Sequence, residues 1–214
     1  MSHYDLIIIG SGPSGKSAAI QAGKLKRKVL VIDRQPRLGG VSVHSGTIPS
    51  KTLRDTVLNL TGWLERSFYG RSYRVKDEIA AGDLKSRLHK TLDYEVDVLE
   101  HQFNRNYVDT LCGLASFTGP NSVEVLTEAG ESTSLTAERF LICTGTKTFR
   151  PDWVPFNSTT ILDSDEFLDM QAIPRSLTVV GAGVIGVDSV SCTHPPLPTT
   201  HSVYYSCDLD HIKT

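Results

Sequence analysis

The sequence predicts an α/β fold: a parallel sheet covered by helices, interrupted by a small antiparallel excursion, and followed by the start of a second, incomplete unit of the same kind. Three observations carry this reading. Tyr4-Asp5-Leu6-Ile7-Ile8-Ile9 is a short apolar run, as a strand buried on both faces requires, and it leads directly into the glycine-rich turn Gly10 to Gly15. From Lys16 to Lys26 the residues Ala18, Ala19, Ala22 and Leu25 recur at helical spacing, and Lys28 to Asp33 is a second apolar strand, which completes a β-α-β unit. The same order of features recurs where Leu177-Thr178-Val179-Val180 runs into Gly181-Ala182-Gly183-Val184-Ile185-Gly186.

Between these two units, Ile48-Pro49-Ser50 opens a helix. A longer helix is expected from about Asp83 to Asn104, with Leu84, Leu88, Leu92, Val96, Leu99 and Phe103 on one stripe that reads as core. Short strands between Val108 and Ile142, separated by Gly119-Pro120-Asn121 and Glu128-Ala129-Gly130, predict the antiparallel excursion, and Leu141-Ile142-Cys143 returns to the main sheet. After Ser191 the character changes, because His194-Pro195-Pro196-Leu197-Pro198 cannot continue a helix. The tail is expected to form no regular element, although Ser202-Val203-Tyr204-Tyr205-Ser206 has the look of a following strand, with Asp208 in a ribose-like position. The expected organisation is a first nucleotide-binding domain over residues 1–150, the start of a second over 151–191, and a divergent tail over 192–214.

Composition narrows the function classes. The 214 residues carry 22 basic and 24 acidic side chains, a net charge of -2, which provides no basic stripe for a phosphate backbone, so no nucleic-acid partner is expected. The longest early apolar run, Leu6 to Ile9, is far short of a signal-peptide core or of the roughly 20 residues that span a bilayer, so a soluble chain with no membrane partner is expected. Cys112, Cys143, Cys192 and Cys207 form no C-x-x-C pair. Reduced thiols, a cytoplasmic location and no metal site are the expectation.

In Gly10-Ser11-Gly12-Pro13-Ser14-Gly15 the first glycine serves the tight turn, the second the approach of a pyrophosphate to the backbone, and the third the packing of helix on strand. The helix that follows presents unpaired N–H groups and the positive end of its dipole to the phosphates. Asp33 closes the next strand, about 20 residues on, where a carboxylate accepts hydrogen bonds from a ribose diol. A lone glycine motif is weak evidence; the strand before it, the helix after it and the acid beyond make nucleotide binding the stronger reading.

The run Gly39-Gly40-Val41-Ser42-Val43-His44-Ser45-Gly46-Thr47-Ile48-Pro49-Ser50-Lys51 resembles the G-G-x-C-x-x-x-x-C-I-P-S-K segment of the flavoprotein reductases with two dinucleotide-binding domains, among them glutathione reductase, dihydrolipoamide dehydrogenase and mercuric reductase. Thr144-Gly145-Thr146 stands in the place of the family's A-T-G segment, Asp163-Ser164-Asp165 precedes the second glycine motif, and the resemblance covers roughly residues 3 to 191. It implies a Rossmann-like FAD-binding sheet over 1–150 and the beginning of an NAD(P)-binding unit. Where the disulfide reductases hold their redox-active cysteine pair, this chain has Ser42 and Thr47. Hydroxyls form no disulfide and offer no thiolate to the flavin, so disulfide reduction is excluded, and no residue is assigned to catalysis.

Within the family, threonine at the second cysteine position and the run Gly46-Thr47-Ile48-Pro49-Ser50-Lys51-Thr52-Leu53-Arg54 resemble the soluble pyridine-nucleotide transhydrogenases, Si-specific enzymes that pass a hydride from NADPH through FAD to NAD. Ser42 departs from the many members that keep one cysteine there. The resemblance implies FAD contacts at Gly10, Gly12, Pro13, Ser14, Gly15, Asp33, Arg34, Gly39, Gly40, Thr47, Lys51, Thr144 and Gly145, and a nicotinamide dinucleotide at Gly181, Gly183 and Gly186. Lys51 would place a cation near the flavin ring, or is a solvated lysine at a helix start. His44 reads as a polar loop residue, since hydride transfer needs no proton relay in its central step.

Pyridine nucleotides are the expected substrates, and the full-length family forms homo-oligomers through a domain that this sequence lacks. Residues 193–214 read as unrelated sequence joined to a truncated frame, which leaves the expected transhydrogenase activity impaired or absent. Two alternatives stay open: a non-catalytic FAD-binding fragment, and a relative of dihydrolipoamide dehydrogenase that has lost its disulfide.

Overall fold

The structure, a computed structural model, describes residues 2–62, 80–181, 183–186 and 200–204. Two compact units divide the chain, one formed by residues 1–44 and 92–147, the other by 45–91 and 148–214.

In the first unit, β1 (Ser2–Ile9) leads through the glycine turn into α1 (Pro13–Lys24) and back to β2 (Val29–Asp33). The helix starts three residues earlier than its apolar spacing suggests because Pro13 sits at its first position, where a missing N–H costs nothing. It ends at Lys24, with Lys26 in the left-handed region at φ 58°. A short helix, α2 (Gly40–His44), follows. The remaining elements of this unit are β3 (Val108–Cys112), β4 (Leu114–Gly119), β5 (Ser122–Leu126) and β6 (Ser132–Ile142).

They form one six-stranded sheet in the order β3-β2-β1-β6-β5-β4. β1 is parallel to β2 (Ile7 beside Leu30) and to β6 (Ile7 beside Phe140), and β2 is parallel to β3 (Val31 beside Thr110). The antiparallel excursion is therefore smaller than the sequence suggested. Val108–Cys112 belongs to the parallel sheet, and among the described residues antiparallel pairing is confined to β4 with β5 and β5 with the first half of β6, through pairs such as Val123 with Leu135. β6 is long enough, at 11 residues, to serve both arms.

Alternation along the strands builds two cores, because successive side chains leave opposite faces. Ile8, Val29, Val31 and Val108 pack with Ala19 of α1 and with Leu99 and Phe103. Ile7, Leu30 and Ile32 face the other way and pack with Val123, Val125, Leu135 and Ala137 of the antiparallel arm. Leu99 and Phe103 come from α4 (Ala81–Arg105), the long helix expected from the leucine stripe. All six stripe residues are buried, Phe103 to 1% exposure.

The second unit contains α3 (Thr47–Thr61), the first part of α4, α5 (Ser164–Phe167) and β7 (Ser176–Val180). Pro49 lies in the first turn of α3, and Gly62 closes that helix in the left-handed conformation at φ 62°. Val57 and Leu84 form the buried centre, with Leu53, Leu60 and Ile173 against them. The tail supplies β8 (Thr200–Tyr204), parallel to β7 with Thr178 beside Ser202. The expectation of a tail without regular structure is corrected here: a short β-branched and aromatic run supplies the backbone donors and acceptors that β7 otherwise lacks. The strand Ser202–Ser206 read from the sequence begins two residues earlier than expected, and Ser206 and Asp208 lie outside the described residues.

Asp163 caps α5. Its carboxylate accepts from the N–H groups of Asp165 and Glu166 while Glu166 reaches back to the Asp163 N–H, a reciprocal capping box. Arg150 bridges both acids at 2.7 and 2.9 Å. Burial alone would raise the Asp163 carboxyl, but hydrogen bonds from Arg150 and from the Glu166 and Asp165 backbone outweigh it and hold it below its ordinary value; Ser158 and Arg150 do the same for Glu166.

Two predictions follow from this packing. Phe103→Ala removes a ring buried to 1% exposure and is expected to lower unfolding free energy by about 3–5 kcal/mol, read from chemical denaturation. Because the Asp163 and Glu166 carboxyls titrate lower when folded, their stabilising contribution is present above their ordinary values of 3.8 and 4.5 and is lost as pH falls through the lowered ones. In Arg150→Gln, carboxyl carbon NMR titration should find both groups shifted back upward; unchanged midpoints would rule out this origin for the shift.

Candidate functional site

The first glycine turn is built by close approaches that only a missing Cβ permits. A Cβ on Gly15 would stand 1.9 Å from the Gly10 carbonyl oxygen, so helix and strand meet there with no room for a side chain. Gly10 itself has φ +108°, and a Cβ on it would lie 2.2 Å from the Cys143 carbonyl oxygen. Gly12 differs from both. Its φ of -62° suits any residue, and a Cβ there would meet nothing within 4 Å. Nothing among the described residues requires a glycine at that position, and the space beside it is open.

That space lies at the carboxyl ends of the central strands. Chain order sends β1 toward β2 on one side while β6 lies on the other, and in open α/β sheets ligands bind at such a switch point. From the β1 side comes the N-terminus of α1, with Pro13, Ser14 and Gly15 in its first turn, no capping side chain and no acidic residue there. From the β6 side come Thr144 and Gly145, both exposed, Gly145 at φ +67° with nothing within 4 Å of a Cβ. The Cys143 N–H donates to the Ile9 carbonyl at 2.7 Å and ties the two chain exits together. Unpaired N–H groups at a helix start, with the dipole behind them, attract an anion.

Asp33 closes β2 beside this turn. Its Oδ2 accepts from the Ser11 N–H at 2.8 Å and from the Ser11 hydroxyl, and its Oδ1 accepts from the Gln35 N–H at 3.0 Å. The Ser11 hydroxyl in turn accepts from the Gly39 N–H at 2.9 Å. Gly39 and Gly40 are thereby drawn against the turn, so closely that a Cβ on Gly40 would lie 2.9 Å from the Gly12 Cα. Gly10, Gly12, Pro13, Ser14, Gly15, Asp33, Gly39, Gly40, Thr144 and Gly145 thus form one constellation. Arg34 is exposed at its margin.

Ser42 donates to the Gly39 carbonyl at 3.2 Å, and His44 Nε2 stands 2.9 Å from the Leu38 carbonyl, so both residues brace the loop that carries the two glycines. Thr47 and Lys51 belong to the second unit, exposed on the first turns of α3. There too the second glycine motif repeats the first. Gly181 has φ +121°, a Cβ on Gly186 would stand 2.2 Å from the Gly181 carbonyl oxygen, and one on Gly183 would meet nothing.

Sequence reasoning missed two parts of the site. Ser11 has no role in the sequence pattern, although a hydroxyl within the turn is placed to partner Asp33. Beyond Asp33 lies a cavity of about 290 Å³ whose lining includes Gln35, Leu38, Glu100, Asn104 and Cys112. No sequence signal marks it, because α4 brings Glu100 and Asn104 to it from far along the chain. No helix among the described residues is long and apolar enough to cross a membrane.

Known proteins share the sequence pattern and the fold of this chain. Residues 4–193 match the family model of the pyridine nucleotide-disulphide oxidoreductases. The soluble pyridine nucleotide transhydrogenase of Mycobacterium bovis (strain BCG / Pasteur 1173P2) is 47% identical over 192 residues, 89% of this chain and 41% of that protein. The transhydrogenase of Stutzerimonas stutzeri is 37% identical over 189 residues, 88% of this chain and 40% of that one. The chain therefore spans about 40% of the length of these relatives. Among solved structures, LpdA from Mycobacterium tuberculosis superposes with a TM-score of 0.81 at 23% identity, covering 95% of this chain and 44% of that one. The flavoprotein disulfide reductase RclA from Escherichia coli does so with 0.77 at 24%, covering 95% and 42%. These likenesses show the same fold. Family members use FAD and NAD(P), and with the family model matched over residues 4–193 and two glycine turns of one design, this chain belongs to the pyridine nucleotide-disulphide oxidoreductase family.

Proposed function

We propose that the first unit holds FAD, that the second glycine turn begins a site for a nicotinamide dinucleotide, and that the protein serves hydride transfer from NADPH through FAD to NAD, as a soluble transhydrogenase does. The observation that carries this reading is the pairing of two like-built glycine turns with hydroxyls, Ser42 and Thr47, at the positions where disulfide reductases keep their thiols. Two dinucleotides and no redox-active cysteine pair suit an exchange between nicotinamides rather than the reduction of a disulfide. Kinship with the transhydrogenases supports it.

The residues fit the cofactor. The open space at Gly12 and the uncapped start of α1 suit a diphosphate, which the N–H groups of Ser14 and Gly15 would meet. Asp33 would accept from the adenosine ribose, with the cavity lined by Gln35, Leu38 and Asn104 beyond it for the adenine, and Arg34 at the rim. Gly39, Gly40, Thr144 and Gly145 would line the path toward the flavin. Bound FAD supplies the two-electron acceptor through which hydride passes. The family resemblance assigns Thr47 and Lys51 to the flavin ring, where a lysine cation would stabilise added negative charge. Gly181, Gly183 and Gly186 would meet the second diphosphate.

The visible spectrum of the purified chain tests this directly. Bound flavin should give an absorption envelope perturbed from that of free FAD, and anaerobic NADPH should bleach it; a protein that takes up no FAD would refute the cofactor reading. A flavin-loaded protein that NADPH does not bleach would support the non-catalytic FAD-binding alternative.

A second test separates binding from folding. Gly12→Ala places its methyl group in space that nothing in the protein fills, so the melting temperature should hold while FAD affinity falls by about tenfold or more. Gly15→Ala, driven against the Gly10 carbonyl, should lose stability as well. Equal FAD affinity in Gly12→Ala and the unaltered chain would overturn the placement of the diphosphate.

A further inference from the structure

Ser11 is 1% exposed, and its hydroxyl both donates and accepts a hydrogen bond. The Gly39 N–H can only donate, so the Ser11 oxygen accepts that bond and its single proton is left for Asp33. The backbone N–H of the same residue donates to the same carboxylate oxygen. A carboxylate offers roughly four acceptor positions. Among the described residues, Ser11 engages two of them on Oδ2 and the Gln35 N–H engages one on Oδ1. One acceptor position therefore remains on Oδ1, in a carboxylate whose rotation is held by three hydrogen bonds.

We infer that Ser11 is a positioning residue for ribose recognition: by locking Oδ2 of Asp33 and tethering Gly39, it aims the remaining Oδ1 acceptor at the 2′-hydroxyl of an adenosine ribose and so sets the discrimination between ribose and deoxyribose. The inference deepens the FAD reading of this site and rests on it. Ser11 touches no ligand in this scheme. Its effect passes through the orientation of Asp33, and a locked acceptor that forms a charge-assisted bond on binding gives selectivity that a freely rotating carboxylate dilutes.

The test compares the affinities of ADP and 2′-deoxy-ADP, measured by calorimetry on the full chain. The unaltered protein should prefer ADP by about tenfold or more, as loss of one hydrogen bond to a charged group implies. Ser11→Ala should cut that ratio by at least about threefold, whatever it does to affinity as a whole. Weakened packing of the glycine turn would lower both affinities together and leave the ratio alone. Ser11→Gly, which also removes the hydroxyl, serves if the alanine variant does not fold.

In an Asp33→Ala background the preference should vanish and Ser11→Ala should change the ratio no further. A ratio unmoved by loss of the Ser11 hydroxyl, in a protein that binds ADP and prefers it, overturns the role of Ser11 and leaves the FAD reading standing. Failure of the unaltered chain to bind either FAD or ADP sinks both. Binding without preference removes Asp33 from the ribose and this inference with it.

Discussion

The contact on which the first unit depends is the meeting of α1 and β1 at the glycine turn. The Gly10 carbonyl oxygen occupies the place where a side chain at Gly15 would begin, 1.9 Å from an ideal Cβ. With that approach allowed, the chain passes from strand to helix in three residues, and the N-terminus of α1 lies at the carboxyl ends of β1 and β6. Three later features use this placement: Asp33 at the end of β2, the exit of Thr144 and Gly145 from β6, and the Gly39-Gly40 loop. A bulkier residue at Gly15 would push the helix from the sheet and separate all of them.

The charge balance of the constellation is informative. Its one acid, Asp33, is surrounded by donors that it needs for its own solvation, and the first turn of α1 has no acidic residue to compete for its N–H groups. A helix start that attracts anions and a carboxylate that accepts hydrogen bonds thus share a small region. Ser11 holds that carboxylate through its N–H and its hydroxyl. His44, which in isolation invites a proton-transfer role, is instead a brace that meets main-chain carbonyls of the loop before it.

Repetition of the turn in the second unit bears on the chemistry. The geometry at Gly181 and Gly186 matches that at Gly10 and Gly15 to within a few tenths of an ångström in its closest approach, and β7 pairs in parallel with β8 as β1 does with β2. A single local solution has been used twice, each time with an open position in the middle, Gly12 and Gly183. Ser42 and Thr47 carry hydroxyls, which form no disulfide.

Much of this was legible in the amino-acid order, because its causes are local. Gly10-Ser11-Gly12-Pro13-Ser14-Gly15 dictates its own turn, the period of Leu84 through Phe103 dictates a helix with one buried stripe, and Asp33 stands a strand and a helix beyond the first glycine whatever the rest of the chain does. Partnership between distant segments is another matter. Val108–Cys112 has the composition of any short strand, and only the exposed edge of β2 drew it into the parallel sheet. The pairing of Thr200–Tyr204 with β7, the meeting of Gly10 with Cys143, and the cavity that Glu100 and Asn104 share with Gln35 were likewise decided by tertiary structure. Local sequence sets backbone conformation and the periodicity of apolar side chains, whereas strand neighbours and cavities follow from which surfaces remain unsatisfied once those elements pack.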